Sequence, residues 1–183
     1  TLVAVLAWRF MLSDFTGIIT HYIRVLNRTF GMSLPTSLLG NPDTAMFSVI
    51  MISNWKFFPF AVITLLAQLQ SVVPNLYEAA TIDGANAFQR FRYITWPSLL
   101  PVVYMILLLR FIWTFNKFDI IYLTTGGGPL GATETPPLLI YHVFFGQYVY
   151  GRASAIAVLM FLFLVATSFV YFKFYQGAYR RLQ

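Results

Sequence analysis

The sequence contains no cysteine and few charged residues. Charged side chains make up 10% of its 183 residues, whereas an average soluble domain carries about 25%. The lack of cysteine excludes disulfide bonds, thiol catalysis and cysteine-based metal sites. With so few charges and a hydrophobic content of 58%, the chain could not cover the surface of a water-soluble domain with polar groups. These proportions predict an integral membrane protein.

The remaining charges and the motifs argue against nucleic-acid binding and against catalysis. The net charge is +6, yet the longest basic run is the pair Arg180 and Arg181, so we expect no nucleic-acid partner. The sequence has no GK[ST] phosphate-binding motif, no HExxH and no GxSxG. His21 and His142 lie far apart. We therefore expect no enzyme and no cofactor bound by this chain.

Three segments are long and apolar enough to cross a bilayer, and a fourth is too short. The clearest is Ala153–Phe172, with roughly 20 residues and no charge. Ser98–Leu123 carries several polar residues, and Ala45–Leu69 is interrupted by polar residues and a proline. Thr1–Leu12 reaches only about 18 Å as a helix. We expect the chain to begin inside a membrane helix and the natural protein to be longer at its N-terminus.

Alternation of the spans places the linker Gln70–Trp96 and the C-terminal tail on the same side of the membrane. Basic residues usually mark the cytoplasmic side, but here each side has five. On the side of the linker and tail lie Arg90, Arg92, Lys173, Arg180 and Arg181, and on the other Arg9, Arg24, Arg28, Lys117 and Arg152. The charges leave the orientation open.

Two other connecting segments differ in kind. Phe15–Asp43 contains a short amphipathic stretch, GIITHYIRVL, which predicts a helix at the membrane surface. Thr124–Pro137 reads TTGGGPLGATETPP, and its consecutive glycines and proline cannot sustain a helix.

The linker Gln70–Trp96, between the spans Ala45–Leu69 and Ser98–Leu123, is polar and helix-prone. Pro74 suits the first turn of a helix over Asn75–Thr81, and Gly84 breaks or caps it. Asp83 or Asn86 can then cap a second helix.

The second helix is predicted over Ala87–Thr95. Phe88, Phe91 and Thr95 share one face of it. Pro97 biases Trp96 away from helix and begins the next span. The two helices form an exposed element with one apolar stripe and charged flanks. We expect such an element to bind a partner.

The spacing of this linker resembles the EAA loop of binding-protein-dependent ABC importer permeases. The matching residues are Glu78-Ala79-Ala80, then Asp83-Gly84-Ala85, then Ile94, Pro97 and Pro101. The sequence departs from the family pattern at Trp96, where leucine is usual.

Further stretches resemble the carbohydrate-importer permeases of the maltose and glycerol-3-phosphate type. They are FTGIITHYI, WKFFPF, FNKFDIIYLTTGGGP and YGRASAIAV, and together with the linker they cover nearly the whole chain. The TGGGP loop resembles the first of the two unlike permeases in such systems.

The resemblance implies an all-α integral membrane protein with the importer-type ABC permease fold. Of its six transmembrane helices, this chain would hold about three and a half, within one N-terminally truncated permease domain over residues 1–183. Residues 71–97 would form the cytoplasmic EAA coupling loop, and residues 124–152 an extracytoplasmic loop.

The resemblance also implies partners. They are an ABC ATPase dimer that binds the ATP and magnesium, a second permease subunit, an extracytoplasmic solute-binding protein and membrane lipid, in the cytoplasmic membrane of a bacterium or archaeon. The residues implied in ATPase coupling are Glu78, Ala79, Ala80, Asp83, Gly84, Ala85, Phe88, Phe91, Ile94 and Pro97.

Several of these residues have a simpler structural interpretation. Glu78 can stabilise the N-terminal end of a helix dipole, and Asp83 can cap the second helix. Phe88 and Phe91 can bury against the transmembrane bundle instead of a partner.

Polar residues inside membrane spans usually face a watery path or another helix. Arg110, Asn116, Lys117 and Asp119 are therefore candidates for lining a solute pathway. Alternatively, Lys117 and Asp119 pair with each other or extend to the interface. For Lys56 we favour a pairing role within the bundle over solute contact.

Three other functions are consistent with parts of the sequence. An ion-coupled secondary transporter could use Glu134, Asp119 and Arg110 as a relay. An ABC permease for a non-sugar solute would share the EAA loop. A purely structural membrane subunit would tolerate changes at Glu78 or Gly84.

Overall fold

The computed structural model describes residues 1–179, and the side chains of residues 1–173; Arg180 and Arg181, used above in the charge comparison, lie outside the described residues. The described residues form helices joined by loops, without a strand. The helices are α1 (Leu2–Met11), α2 (Ile18–Phe30), α3 (Pro42–Gln70), α4 (Pro74–Ile82), α5 (Ala87–Arg90), α6 (Trp96–Phe115), α7 (Asp119–Thr124), α8 (Pro136–Tyr141) and α9 (Tyr150–Tyr179). Two π-helical turns cover Phe91–Thr95 and His142–Gly146.

Three helical stretches are long and apolar enough to cross a membrane. They are Pro42–Gln70, the continuous run Ala87–Phe115, and Tyr150–Lys173. The predictions of an all-α protein and of three spans are confirmed in the part of the chain that the structure describes.

The second span ends earlier than predicted. We expected it to reach Leu123, but α6 ends at Phe115 and the separate helix α7 begins at Asp119. Asn116 is a poor helix former, and Phe118 leaves regular helical geometry with φ −107°. Asp119 then occupies the first turn of α7, where the helix dipole favours an acid.

The prediction that Trp96 leaves the helix before Pro97 is wrong. Trp96 is helical, with φ −61° and ψ −48°, and its N–H bonds to the carbonyl of Phe91 five residues earlier. The wider π turn makes room for Pro97, whose ring would clash in a regular α-helix. Ser98 Oγ also donates to the Ile94 carbonyl at 2.7 Å. Such π turns and hydroxyl bonds are the usual means by which membrane helices tolerate proline.

Packing divides the chain into two compact units. The first contains Thr1–Phe57 and Phe115–Phe161, and the second contains Phe58–Thr114 and the chain from Leu162 onward. The first unit has an apolar core contributed by α1, α3, α7 and α8. Its buried members are Val5, Leu12, Val49, Ile52, Ile120, Ile121 and Leu138.

The glycine-rich loop before α8 is non-helical, as predicted, and is stabilised by its own hydrogen bonds. Gly126 and Gly127 have φ of +59° and +93°, which glycine adopts without a steric penalty. The fully buried Thr133 donates to the Gly128 carbonyl at 2.8 Å and shares a hydrogen bond of 2.7 Å with Thr125. The loop ends at Pro136, the first residue of α8.

In the second unit, side chains bind α6 to its neighbours. Gln68 Nε2 of α3 donates to the Ser98 carbonyl at 3.1 Å, and the Tyr171 hydroxyl of α9 donates to the Tyr104 carbonyl. Both bonds are accepted by backbone carbonyls of α6, so they constrain its position without requiring a particular side chain on it.

Two isoleucines allow a direct test of the core. Ile120→Ala removes a side chain that is 0% exposed, and we expect a loss of roughly 2 kcal/mol because the lost contacts leave a cavity. Ile63→Ala, at a position that is 67% exposed on α3, should change stability little. Thermal unfolding of the purified protein in detergent measures both; equal midpoints for the two variants would contradict the assigned core.

Candidate functional site

The polar linker forms a helix–glycine–helix corner, which we define as residues 74–98. Its first helix, α4, begins at Pro74 after an extended Val73. Proline fits this position because its fixed φ suits a helix start and its missing N–H would have no partner there. The prediction of a helix after Pro74 and a break at Gly84 is confirmed.

Gly84 ends α4 in a left-handed conformation with φ +75°. The Ala85 N–H bonds to the Ala80 carbonyl at 2.9 Å, and the Gly84 N–H bonds to the Thr81 carbonyl at 3.1 Å. This pair of bonds is the Schellman motif, which satisfies carbonyls at a helix end. A Cβ at Gly84 would meet no atom within 4 Å, so the backbone conformation, rather than space, favours glycine here.

Asn86 starts the second helix with a reciprocal capping box. Its side chain accepts from the Gln89 N–H at 2.9 Å, and the Gln89 side chain accepts from the Asn86 N–H at 2.8 Å. Of the two caps considered from the sequence, Asn86 is therefore correct. Asp83 instead occupies the C-terminal cap position of α4, where a helix dipole disfavours an acid.

Two side-chain hydrogen bonds join the two arms of the corner. The Tyr77 hydroxyl and the Thr95 hydroxyl lie 2.9 Å apart, and the Arg90 guanidinium donates to the Thr81 hydroxyl at 3.0 Å. Since Thr95 directly precedes α6 in a continuous helix, the Tyr77–Thr95 bond joins α4 to the base of a membrane span.

Most of the predicted coupling residues are exposed. Ala80, Ala85, Ile94 and Pro97 are half-buried, whereas Glu78, Ala79, Asp83, Gly84, Phe88 and Phe91 are exposed. Phe88 is 74% exposed and Phe91 48%, so the described residues do not bury them within the bundle. That result favours contact with a partner.

The two acids of the corner have no structural partner in the described part of the chain. Neither Glu78 nor Asp83 forms an ion pair there. Glu78 lies in the middle of α4, whose first turn contains no acid, so the helix dipole does not account for it. Both carboxylates are thus available to a cationic surface.

The sequence analysis missed one apolar member of this surface. Ile82 lies beside Asp83 at the end of α4 and is 86% exposed. A large aliphatic residue at the polar end of a short helix is a signal of a binding surface that the sequence contains. An amphipathic helix normally places such a residue on its buried side, so its exposure here indicates contact with a partner.

The pathway candidates fall in different packing units. Arg110 lies on α6 in the second unit and is half-buried, while Asn116, Lys117 and Asp119 follow α6 in the first unit. The Asp119 carboxylate pairs with Lys56 at 3.5 Å. Lys56 thus has the pairing role that we favoured, and it comes to Asp119 from α3.

The surroundings of Asp119 favour its ionised form. Burial raises the pKa of this carboxyl, but a hydrogen bond from the Ile120 backbone and the charges of Lys56 and Lys117 outweigh that effect and lower the pKa below its ordinary value. The Asp119 carboxylate and the Asn116 amide, three positions earlier, are of the types that accept hydrogen bonds from, and donate them to, a hydroxylated solute.

Other titratable groups do not extend this cluster. Glu134 of the glycine-rich loop pairs with His142 at 3.2 Å. Among the described residues, no group of three histidine or acidic side chains is arranged to hold a metal ion.

Comparison with known proteins gives a consistent family match. Residues 2–181 match the family described as "Binding-protein-dependent transport system inner membrane component". The trehalose/maltose transport system permease protein MalF of Thermococcus litoralis is 40% identical over 181 residues, which cover 99% of this chain and 59% of that protein. The sn-glycerol-3-phosphate transport system permease protein UgpA of Yersinia enterocolitica is 31% identical over 179 residues, covering 97% and 59%.

Solved structures share the fold. A bacterial ABC transporter involved in the import of the acidic polysaccharide alginate contains a chain that aligns with a TM-score of 0.80 at 21% identity, covering 96% of this chain and 60% of that one. The importer-permease fold predicted from the sequence is therefore confirmed. The chain spans less than two thirds of the length of these relatives.

The Lys56–Asp119 pair predicts a pH-dependent contribution to stability. Because the pKa of Asp119 is lowered by folding, its contribution is present above the ordinary carboxyl pKa of about 3.9 and is lost as the pH falls through the lower, folded value. Asp119→Asn should therefore lower the unfolding midpoint at pH 7, and by less as the pH approaches 3. In a Lys56→Met background the same substitution should have a smaller effect. An effect that is independent of pH and of Lys56 would contradict the pairing.

Proposed function

Because the chain belongs to the family of binding-protein-dependent transport system inner membrane components, we propose that it is a permease subunit of an ATP-driven importer for a sugar or sugar-like solute. The membrane-spanning helices and the names of relatives that transport trehalose, maltose and glycerol 3-phosphate support this proposal. The chain itself is not an enzyme; ATP and magnesium bind to a partner ATPase.

The observation that carries the proposal is the exposed, internally bonded corner. Its surface combines aromatic side chains, Phe88 and Phe91, with the carboxylates Glu78 and Asp83, which form no ion pair with any residue that the structure describes. A groove on a cytoplasmic ATPase that is apolar at its base and basic at its rim would fit this surface.

The corner suits the transmission of motion. Closure of two ATPase subunits around ATP would displace α4, and the Tyr77–Thr95 bond together with the continuous helix would carry the displacement to α6. A rigid element moves as a body, whereas a flexible linker would absorb the movement. This mechanism alternates the permease between inward-facing and outward-facing states.

Binding of the corner to a cytoplasmic ATPase sets the orientation of the chain in the membrane, and the remaining assignments follow from it. Residues 71–97 lie in the cytoplasm, residues 124–152 lie on the extracytoplasmic side, and the membrane is the cytoplasmic membrane of a bacterium or archaeon. A second permease subunit completes the pathway, and a solute-binding protein delivers the solute. One of the alginate transporter structures is a complex with a periplasmic protein that carries an alginate pentasaccharide, which supports a delivery partner of this kind.

The proposed pathway residues are Asn116, Lys117 and Asp119 in the first unit, and Arg110 of α6 in the second unit is a separate candidate. The Asp119 carboxylate pairs with Lys56 and stays partly exposed, so that it can accept hydrogen bonds from solute hydroxyls. Family membership favours this role over a proton relay through Glu134, Asp119 and Arg110.

Gly84 and Gly31 form a matched pair for testing the coupling role. Both are left-handed, with φ of +75° and +64°, and a Cβ at either position meets no atom within 4 Å. Valine should therefore strain both turns by a similar amount, about 1–2 kcal/mol. We expect Gly84→Val to abolish sugar uptake by the assembled transporter while membrane insertion is intact, and Gly31→Val to retain uptake.

Uptake of a labelled oligosaccharide by reconstituted vesicles measures this difference. Wild-type uptake in Gly84→Val would exclude a coupling role for the corner. An equal loss of uptake in both variants would show that backbone strain alone causes the loss.

The pathway assignment predicts a loss of apparent affinity at Asn116. Asn116→Leu removes both hydrogen-bonding groups, and one lost bond should raise the KM for the best-transported oligosaccharide by roughly 10-fold. Asn116→Gln keeps the amide and should recover part of the affinity. An unchanged KM in Asn116→Leu would exclude this residue from the pathway.

A further inference from the structure

Helix α2, Ile18–Phe30, is an amphipathic helix that the transport mechanism leaves unused. One face is fixed to the first unit. Thr20 on this face is fully buried, and the Arg24 guanidinium donates to the Asp14 carbonyl. Asn27 donates to the Leu34 carbonyl at 2.8 Å and accepts from the Leu34 N–H at 3.0 Å. These contacts set the rotation of α2 about its axis.

The opposite face is a broad apolar surface. Ile18, Tyr22, Val25 and Leu26 are all exposed on it, and Phe30 extends it at the C-terminal end. Tyr22 is 63% exposed. Aromatic residues with one polar end are typical of the membrane–water boundary.

A polar edge of hydrogen-bond donors runs along this apolar surface. His21 and Arg28 are exposed and lie seven positions apart, on one stripe of the helix. The helix contains no acidic residue. The acid that precedes it, Asp14, is half-buried and accepts a hydrogen bond of 2.8 Å from Ser37. Arg28 supplies a positive charge in the last turn, and His21 supplies a ring N–H donor in the first.

We propose that α2 lies in the membrane surface and binds the phosphate groups of anionic phospholipids through His21 and Arg28. The apolar face then inserts at the boundary of the acyl chains, with Arg28 and His21 at the level of the headgroups. The charge of Arg28, with the His21 ring as a second hydrogen-bond donor, favours an anionic ligand. Continuity of the chain supports a lipid, because only residues 31–41 separate α2 from α3, a membrane-spanning helix.

Because these 183 residues contain no cysteine, an introduced cysteine is the single labelling site within them, and any cysteine elsewhere in the full-length protein is first replaced by serine. Thr29 is exposed on the apolar side of α2, so Thr29→Cys can carry an environment-sensitive fluorophore. The labelled full-length protein is reconstituted into vesicles of phosphatidylcholine and phosphatidylglycerol. Two vesicle preparations are compared. In the first, the phosphatidylglycerol carries brominated chains, which quench the fluorophore. In the second, the same amount of brominated lipid is phosphatidylcholine, and the phosphatidylglycerol is unbrominated.

Enrichment of anionic lipid around α2 should make quenching by brominated phosphatidylglycerol at least about two-fold stronger than quenching by brominated phosphatidylcholine. His21→Gln/Arg28→Gln should remove the difference. Arg152→Gln, which removes an exposed cation elsewhere on the first unit, should leave it unchanged.

Two results would overturn the proposal. Equal quenching by both lipids in the wild type would place α2 in the bilayer without headgroup selection. Quenching by neither would show that α2 is covered by protein and does not contact lipid.

Discussion

The left-handed turn at Gly84 is the constraint on which the functional surface depends. It reverses the chain between α4 and α5 within a few residues, and the bonds from Ala85 and Gly84 to preceding carbonyls close the end of α4. That reversal places Tyr77 against Thr95 and Thr81 against Arg90. Without it, the exposed acids and aromatic residues would lie on a flexible linker with no fixed relation to the membrane span.

The corner is joined to the membrane by a helix that does not break. Pro97 would ordinarily end or kink a helix, and a break there would uncouple the corner from α6. The π turn over Phe91–Thr95 accommodates the proline while preserving helical direction. The same five residues thus relieve a local steric conflict and maintain the mechanical connection that the proposed mechanism requires.

The sequence was sufficient for features that are encoded locally. Composition predicted a membrane protein, Pro74 and Gly84 predicted the bounds of α4, and the EAA spacing predicted the family. The prediction was wrong where neighbouring residues impose competing backbone preferences. At Trp96, the preference of a residue before proline for extended backbone was overcome by a π turn. The partnership of Lys56 with Asp119 depends on how helices from distant parts of the sequence pack, and no local pattern identifies it. The break after Phe115 has local signals in Asn116 and Asp119, which the predicted span to Leu123 overlooked.

The central claim is that the corner binds an ATPase through Glu78 and Asp83. Affinity purification of the full-length protein in mild detergent, followed by mass spectrometry, tests it directly when Glu78→Lys/Asp83→Lys is compared with the wild type and with Asp43→Lys, which alters an exposed acid on α3. The account predicts that the wild type and Asp43→Lys recover an ATPase and a second permease, and that the double variant retains the permease but loses the ATPase. Recovery of the ATPase at wild-type levels with the double variant, or purification of the wild type alone, would contradict it.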